Sequence, residues 1–169
     1  QTKDFESASS RCWTYKKTLE TESPLLSEKL AFKVEIRVPN RKKLGAEQVP
    51  LVVLFPPIGG LSFLDRRMAD SLCRSQMGAL ILDKDFANIE SQAKGKLLPP
   101  EDHRDTLFRV VAAVKAAQAF AQKDAHLNHQ KMGIFGVSLG GFLGSFTMGV
   151  LPGICLLYTS DAADERSWG

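Results

Sequence analysis

Cysteine is scarce in this sequence. Cys12, Cys73 and Cys155 are scattered over 169 positions with no close paired spacing. That excludes a zinc ribbon and a redox CxxC motif. The odd count weakly favours a reducing compartment, so the cytoplasm is slightly preferred. The chain opens on Gln1 rather than Met, which leaves room for a removed leader. No apolar run approaches the roughly 20 residues of a membrane-spanning helix, so no transmembrane segment is expected. Charge of one sign is also lacking. The net charge is only +3 and the basic residues form no single tract, so no nucleic-acid partner is expected. There is no internal repeat and no low-complexity segment. Neither GxxxxGK[ST] nor GxGxxG occurs, which disfavours nucleotide binding, and nothing implies a metal or cofactor. What is present, 44% hydrophobic and 24% charged residues, suits a globular domain with a real core.

The pattern along the chain is of strands first, then strands alternating with helices. Residues 1 to 10 are small and polar and read as a frayed lead-in. Cys12 to Leu19 has β-formers in rough alternation. Phe32, Val34, Ile36 and Val38 alternate with Lys33, Glu35 and Arg37, which predicts a strand with one buried and one wet face. Leu51 to Phe55 is continuously apolar and bounded by Pro50 and Pro56, as for a strand covered on both faces. Ser62 to Asp65 fits a capping box that opens a helix, with Leu64, Met68 and Leu72 on its inner face and Gly78 as its stop. Ala79 to Leu82 is a second buried strand, ending at Asp83-Lys84-Asp85. A long irregular stretch, 86 to 100, follows. Glu101 to about Gln122 carries Leu107, Val110, Val111, Val114, Ala117 and Ala121 at helical spacing, with Glu101, Asp102 and Asp105 in its first turn. Met132 to Val137 is a third buried strand and Gly140 to Val150 a Gly-rich helix. This order predicts an α/β fold with a mainly parallel sheet and helices on both faces.

One pattern carries chemistry. Gly136-Val137-Ser138-Leu139-Gly140 is G-x-S-x-G between a buried strand and a helix. That context exposes a serine hydroxyl at the tip of a sharp turn, and the turn leaves glycine as the fitting residue on either side. The helix N-terminus also favours negative charge developing nearby.

These residues resemble the α/β-hydrolase superfamily, over most of residues 11 to 154. The resemblance implies a serine hydrolase with Ser138 as nucleophile and Gly136 and Gly140 as elbow glycines. Where that family has an H-G-x-G-G type loop, this chain has Pro56-Pro57-Ile58-Gly59-Gly60. The His-Gly pair is replaced by two prolines, and since proline has no N–H, Ile58 is the first residue of the loop able to donate. The resemblance implies an oxyanion hole made by the N–H groups of Ile58 and Leu139, each such donor being worth about 3 kcal/mol of barrier. It also implies an acid and then a histidine after the serine. Yet His103, His126 and His129 all precede Ser138, and each is read as an ordinary residue. Asp83 and Asp85 end a strand where pockets form, and Arg66-Arg67 reads as a solvated helix face.

The last residues resemble something else. Cys155 to Glu165, CLLYTSDAADE, is similar to the translation of a transposon-type sequencing-library adapter. Residues 155 to 169 are therefore expected to be read-through, with 1 to 154 the N-terminal part of one domain. Asp161 and Asp164 are accordingly not offered as the triad acid. The full-length protein is expected to cleave a carboxylic ester, thioester or amide through an acyl-enzyme on Ser138. Its partner would be a small-molecule acyl substrate. The recorded chain, lacking the acid and the histidine, is expected to be inactive and prone to aggregate. The alternative is an acyltransferase or a non-catalytic ligand-binding protein of the same fold, favoured by the unusual Pro56-Pro57 loop.

Overall fold

The computed structural model describes residues 5–8, 12–23, 26–40, 47–56, 63–83, 100–137 and 139–160. In chain order these form β1 (Phe5–Ala8), β2 (Cys12–Ser23), β3 (Glu28–Pro39), β4 (Val49–Phe55), α1 (Phe63–Arg74), β5 (Gly78–Leu82), α2 (Pro100–Lys123), β6 (Leu127–Val137), α3 (Leu139–Val150) and β7 (Ile154–Ser160). The strands build one sheet in the order β1-β2-β3-β5-β4-β6-β7. The polar lead-in thus contributes an edge strand, β1, antiparallel to β2.

The sheet is mixed, which corrects the expectation of a mainly parallel one. The β1–β2, β2–β3 and β3–β5 ladders are antiparallel. The β4–β5, β4–β6 and β6–β7 ladders are parallel. The reason lies in the connections. β2 and β3 pair from Ser23↔Glu28 out to Cys12↔Pro39, a hairpin whose short link cannot reach a parallel partner. β4, β5 and β6 are separated by helices, which make parallel crossovers.

Helices cover both faces, as the continuous apolar strands require. Leu51, Val53 and Phe55 of β4, Leu80 and Leu82 of β5 and Ile134 of β6 pack in one cluster with Val110, Val114 and Ala117 of α2 and Leu143 of α3. Leu54, Ala79 and Ile81 face the other way, against Ala69, Met68 and Leu72 of α1, with Phe135 alongside. Each strand therefore splits its apolar residues by parity between two cores. The stripe read for α2 lies in the core, with Leu107 at its partly buried margin.

The inner face of α1 differs from the expected one. Its buried residues are Asp65, Ala69 and Cys73, whereas Leu64 is 68% exposed and Met68 and Leu72 are only partly covered. The buried set is rotated by one position because small Ala69 and Cys73 let the helix approach the sheet. Nor does Gly78 stop α1. Gln76 takes the left-handed turn, at φ 65. Gly78 opens β5, where an added Cβ would lie 2.7 Å from Leu127 Cδ2.

The polar side of β3 is not wet where α1 covers it. Glu35 and Arg37 are each 8% exposed. Arg37 Nη2 donates to Glu35 Oε1 at 2.9 Å, and Arg37 Nη1 donates to Arg66 O at 2.9 Å and to Asp70 Oδ1. One guanidinium thus ties β3 to two successive turns of α1, a geometry that its planar fork favours. A covalent tie lies at the same interface. Cys12 of β2 and Cys73 of α1 form a disulfide, both buried, with Cα atoms 6.3 Å apart and 61 residues of separation. Two of the three cysteines are bonded, so the parity argument for a reducing compartment falls away.

Closing so long a loop constrains the unfolded chain by about 4 kcal/mol. Adding a strong thiol reductant is therefore expected to lower the urea midpoint of unfolding and to steepen the transition, because the unfolded chain expands once the cross-link is cut. Identical midpoints with and without reductant, after thiol labelling verifies that reduction is complete, would show that the bond carries no stability.

Candidate functional site

The parallel half of the sheet positions the G-x-S-x-G segment. β4 runs beside β6 in the register Val53↔Ile134, Leu54↔Phe135, Phe55↔Gly136. Both strands end at the same height, and β5 joins them through Leu54↔Ile81. β6 ends at Val137 and α3 begins at Leu139, so a single residue separates strand from helix. That residue, Ser138, lies outside the described residues, as do Ile58, Gly59, Gly60 and Asp85.

The residues around it are tightly specified. A Cβ on Gly136 would fall 2.3 Å from both C and O of Gly140 and 2.7 Å from Gly141 N. A Cβ on Gly140 would fall 2.6 Å from Phe55 O and 3.1 Å from Phe55 Cβ. Real side chains do not tolerate such distances, and the obstructing atoms are mostly backbone, which cannot swing aside. The first turn of α3 is thus pressed on the end of β6 on one side and on the end of β4 on the other. Gly141 and Gly144 are buried on the same helix, beside Leu143 and Thr147. Thr147 has no ladder to join and donates its hydroxyl to Leu143 O at 2.8 Å. Leu139 is the first helical residue, so its N–H precedes the intrahelical hydrogen bonds, and its side chain packs on the main core. Pro56 follows β4 and is buried beside this junction.

Two of the three histidines are elsewhere. His126 lies in the turn before β6, and its carbonyl accepts from Val49 N at 2.9 Å at the start of β4. This is the N-terminal end of the parallel strands, opposite the end where β6 gives way to α3. His126 Nδ1 stands 3.8 Å from Asp124 Oδ1, superficially half of a proton relay. Asp124 is instead used to hold the turn, accepting from His126 N at 2.9 Å. His129 is exposed within the first half of β6, part of the strand rather than of a loop before it. His103 is in the first turn of α2. Tyr15, in the core under α2, has its phenol pushed far above the ordinary range by burial and by the nearby Asp124 carboxylate, so it stays neutral.

Asp83 ends β5 at the same edge of the sheet as the strand ends described above. Its N–H donates to Lys33 O at 3.1 Å. Its side chain helps line a groove of about 550 Å³ with Lys16, Thr18, Lys33, Glu35 and Arg66. The sequence marked Asp83 and Arg66 but not the groove, because Lys16 and Lys33 meet Asp83 only through strand pairing.

No family model matches the chain, and no curated protein matches it by sequence. Solved structures do match in fold. A dienelactone hydrolase-like promiscuous phosphotriesterase from metagenomic libraries superposes with a TM-score of 0.61 at 17% identity, covering 87% of this chain and 59% of its own. A cold-adapted esterase from an Arctic intertidal metagenomic library gives 0.64 at 13% identity, covering 94% and 65%. A glucuronoyl esterase from Teredinibacter turnerae gives 0.63 at 11% identity, covering 93% and 43%. The chain therefore has the α/β-hydrolase fold of these structures and spans between about two fifths and two thirds of their length.

The glycine contacts make a direct test. Gly136→Ala and Gly140→Ala are each expected to destabilise the chain by about 3 kcal/mol or more, since backbone must move to admit the methyl group. Gly149→Ala, with nothing within 4 Å of the added Cβ, is expected to stabilise it by about 0.5–1 kcal/mol through helix propensity. Equal effects at all three positions in chemical denaturation would contradict the packing account.

Proposed function

We propose that this chain carries the nucleophile half of an ester-hydrolase site. In this reading Ser138 attacks the substrate carbonyl, and the N–H groups of Leu139 and Ile58 hold the oxyanion that forms. Thioesters and amides share that intermediate and belong to the same substrate class. The observation that carries the reading is the one-residue junction between β6 and α3, gripped by Gly136 and Gly140 at contacts only glycine admits. A serine at a strand-to-helix junction of this kind is the pattern of a nucleophile elbow. The names of the fold neighbours, esterases and a dienelactone hydrolase-like protein among them, agree with it.

The proposed steps follow from the chemistry of acyl transfer. The Ser138 hydroxyl is a poor nucleophile until a base takes its proton. As it adds to the carbonyl, negative charge moves to the carbonyl oxygen, where the first N–H of α3 and the helix dipole oppose it. Collapse expels the alcohol and leaves an acyl-serine, which water then cleaves. Neither His126 nor His129 reaches this edge of the sheet, and the base is taken to be a histidine beyond Ser138 in the full-length protein rather than His103 at the start of α2. We also propose that residues 155 to 169 are adapter read-through. The support is the match of Cys155 to Glu165 to the translated adapter.

In the full-length protein, Ser138→Ala is expected to lower kcat/KM for a 4-nitrophenyl ester by about 10⁴-fold or more. Retention of most of the activity would overturn the assignment. Resequencing the source gene past the codon for Ile154 tests the second proposal. A reading frame that departs from residues 155 to 169 supports it, and the same residues in the gene overturn it.

A further inference from the structure

We infer that the groove beside β5 binds a carboxylate or phosphate group, and that this group is the anionic end of the ester whose carbonyl reaches Ser138. The second half of this statement rests on the ester-hydrolase reading, whereas the first half stands on the groove itself.

The strand pairings put the lining residues on one face. Lys16↔Glu35 and Thr18↔Lys33 are directly opposed across β2 and β3. Glu35 in turn pairs with Ile81, which packs under α1. Lys17 points the other way, its ammonium 5.2 Å from the Phe120 ring centroid on the α2 side. The side chains on the groove face are therefore Lys16, Lys33 and Arg66 against the carboxylates Glu35 and Asp83. Buried Arg37 holds Glu35 Oε1 at 2.9 Å from behind the wall, while Arg66 Nε stands 3.6 Å from Glu35 Oε2 on the groove side. Lys33 and Arg66 are both exposed, and Arg66 has the planar fork that matches an oxyanion. A concave surface of this composition favours an anion over a neutral or cationic group.

Register also fixes the distance to the elbow. Leu54 faces both Ile81 and Phe135, so Asp83, two residues past Ile81, is level with Val137. β5 and β6 flank β4, so two strand spacings, roughly 10 Å, separate Asp83 from Val137, and Lys33, beside Asp83 on β3, is a third spacing away, roughly 14 Å from β6. The groove thus opens at the edge of the sheet where open α/β folds take their ligands. α1 begins with Phe63 and Leu64, which are 70% and 68% exposed, one turn before the groove residue Arg66. A substrate with an anionic end, a short apolar middle and an ester would meet each surface in turn.

The test is a titration that needs no turnover. The isotope-labelled chain is followed by NMR with monomethyl glutarate, with neutral dimethyl glutarate and with inorganic phosphate, at low salt. The monoester is expected to shift the amides of Lys33, Arg66 and Asp83 and to bind about tenfold or more tightly than the diester. Lys33→Glu is expected to weaken it by at least the same factor, with Lys33→Arg restoring it; Lys33→Gln serves if the charge reversal perturbs the spectrum as a whole. Phosphate shifting the same amides supports an oxyanion site in general, and an inert phosphate supports a carboxylate site. No shift with the monoester, equal binding of the diester, or parental affinity in the Lys33 variants would overturn the groove. A chain that binds the monoester, in a full-length protein that hydrolyses no ester, keeps the groove and overturns the Ser138 reading. Hydrolysis indifferent to the anionic end keeps Ser138 and overturns the link between them.

Discussion

The fold converges on a backbone-to-backbone contact. Gly136 at the end of β6 meets Gly140 in the first turn of α3, and Gly140 meets Phe55 at the end of β4. Two consecutive elements and a strand about 80 residues earlier in the chain are brought to one point with no side chain between them. Such an approach is possible only without Cβ atoms, so the sequence pays here with glycine's unfolded-state entropy. What it gains is a helix start held against two strand ends. That places the first N–H groups of α3 at the edge of the sheet, in the orientation that opposes negative charge. The helix itself is unusually bare, with Gly141 and Gly144 also buried, because its inner face lies so close to the sheet.

A second hold fixes α1 from the other side. Its contact with β5 and β4 is a small apolar cluster around Leu54, Ala69, Ala79 and Ile81. Small residues bury little area each, so hydrophobic packing alone gives this helix less than the aliphatic stripe gives α2. The difference is made up by the Arg37 fork, which reaches Arg66 O and Asp70, and by the Cys12–Cys73 bond near the helix end. Arg37 is itself kept in place by Glu35. A buried guanidinium so arranged adds direction more than raw stability, because its desolvation offsets much of the Coulombic gain. It sets where α1 lies along β3, which no set of interchangeable methyl groups would do as sharply.

How much of this was readable in advance follows from the range of each interaction. β4, β5 and the latter part of β6 announced themselves because being covered on two faces leaves a continuous apolar run. α2 did so because Val110, Val114, Ala117 and Ala121 repeat with the helical period. The glycine spacing about Ser138 was legible because the Gly136–Gly140 contact lies within five residues, whereas the approach of Gly140 to Phe55 spans 85 positions and left no local mark. The disulfide was not, since its partners are 61 residues apart and meet only after β2 and α1 have docked. The burial of Glu35 and Arg37 was not either, because alternating charges on a strand look the same whether water or an arginine fork satisfies them. α1 misled for a related reason. Leu64, Met68 and Leu72 have the right spacing, but the helix presents the neighbouring stripe, whose small residues allow closer approach. The parallel sheet was overestimated because periodicity identifies strands and says nothing about the direction of their partners.

The same distinction explains why the groove and the elbow differ in visibility. The elbow is a local device, written in five consecutive residues. The groove is assembled across β2, β3, β5 and α1, and its charge pattern exists only once Lys16 and Lys33 lie beside Asp83. The antiparallel half of the sheet is what brings them there. It carries little of the chemistry proposed for Ser138, yet it extends the wall beyond the parallel strands and gives it a polar face on the α1 side. The surfaces proposed for catalysis and for recognition therefore have separate origins in this chain. A tight turn with its glycines can arise within a short segment, while a recognition surface depends on which strands are neighbours. Substitutions on the exposed part of β3 can change the second without disturbing the packing that supports the first.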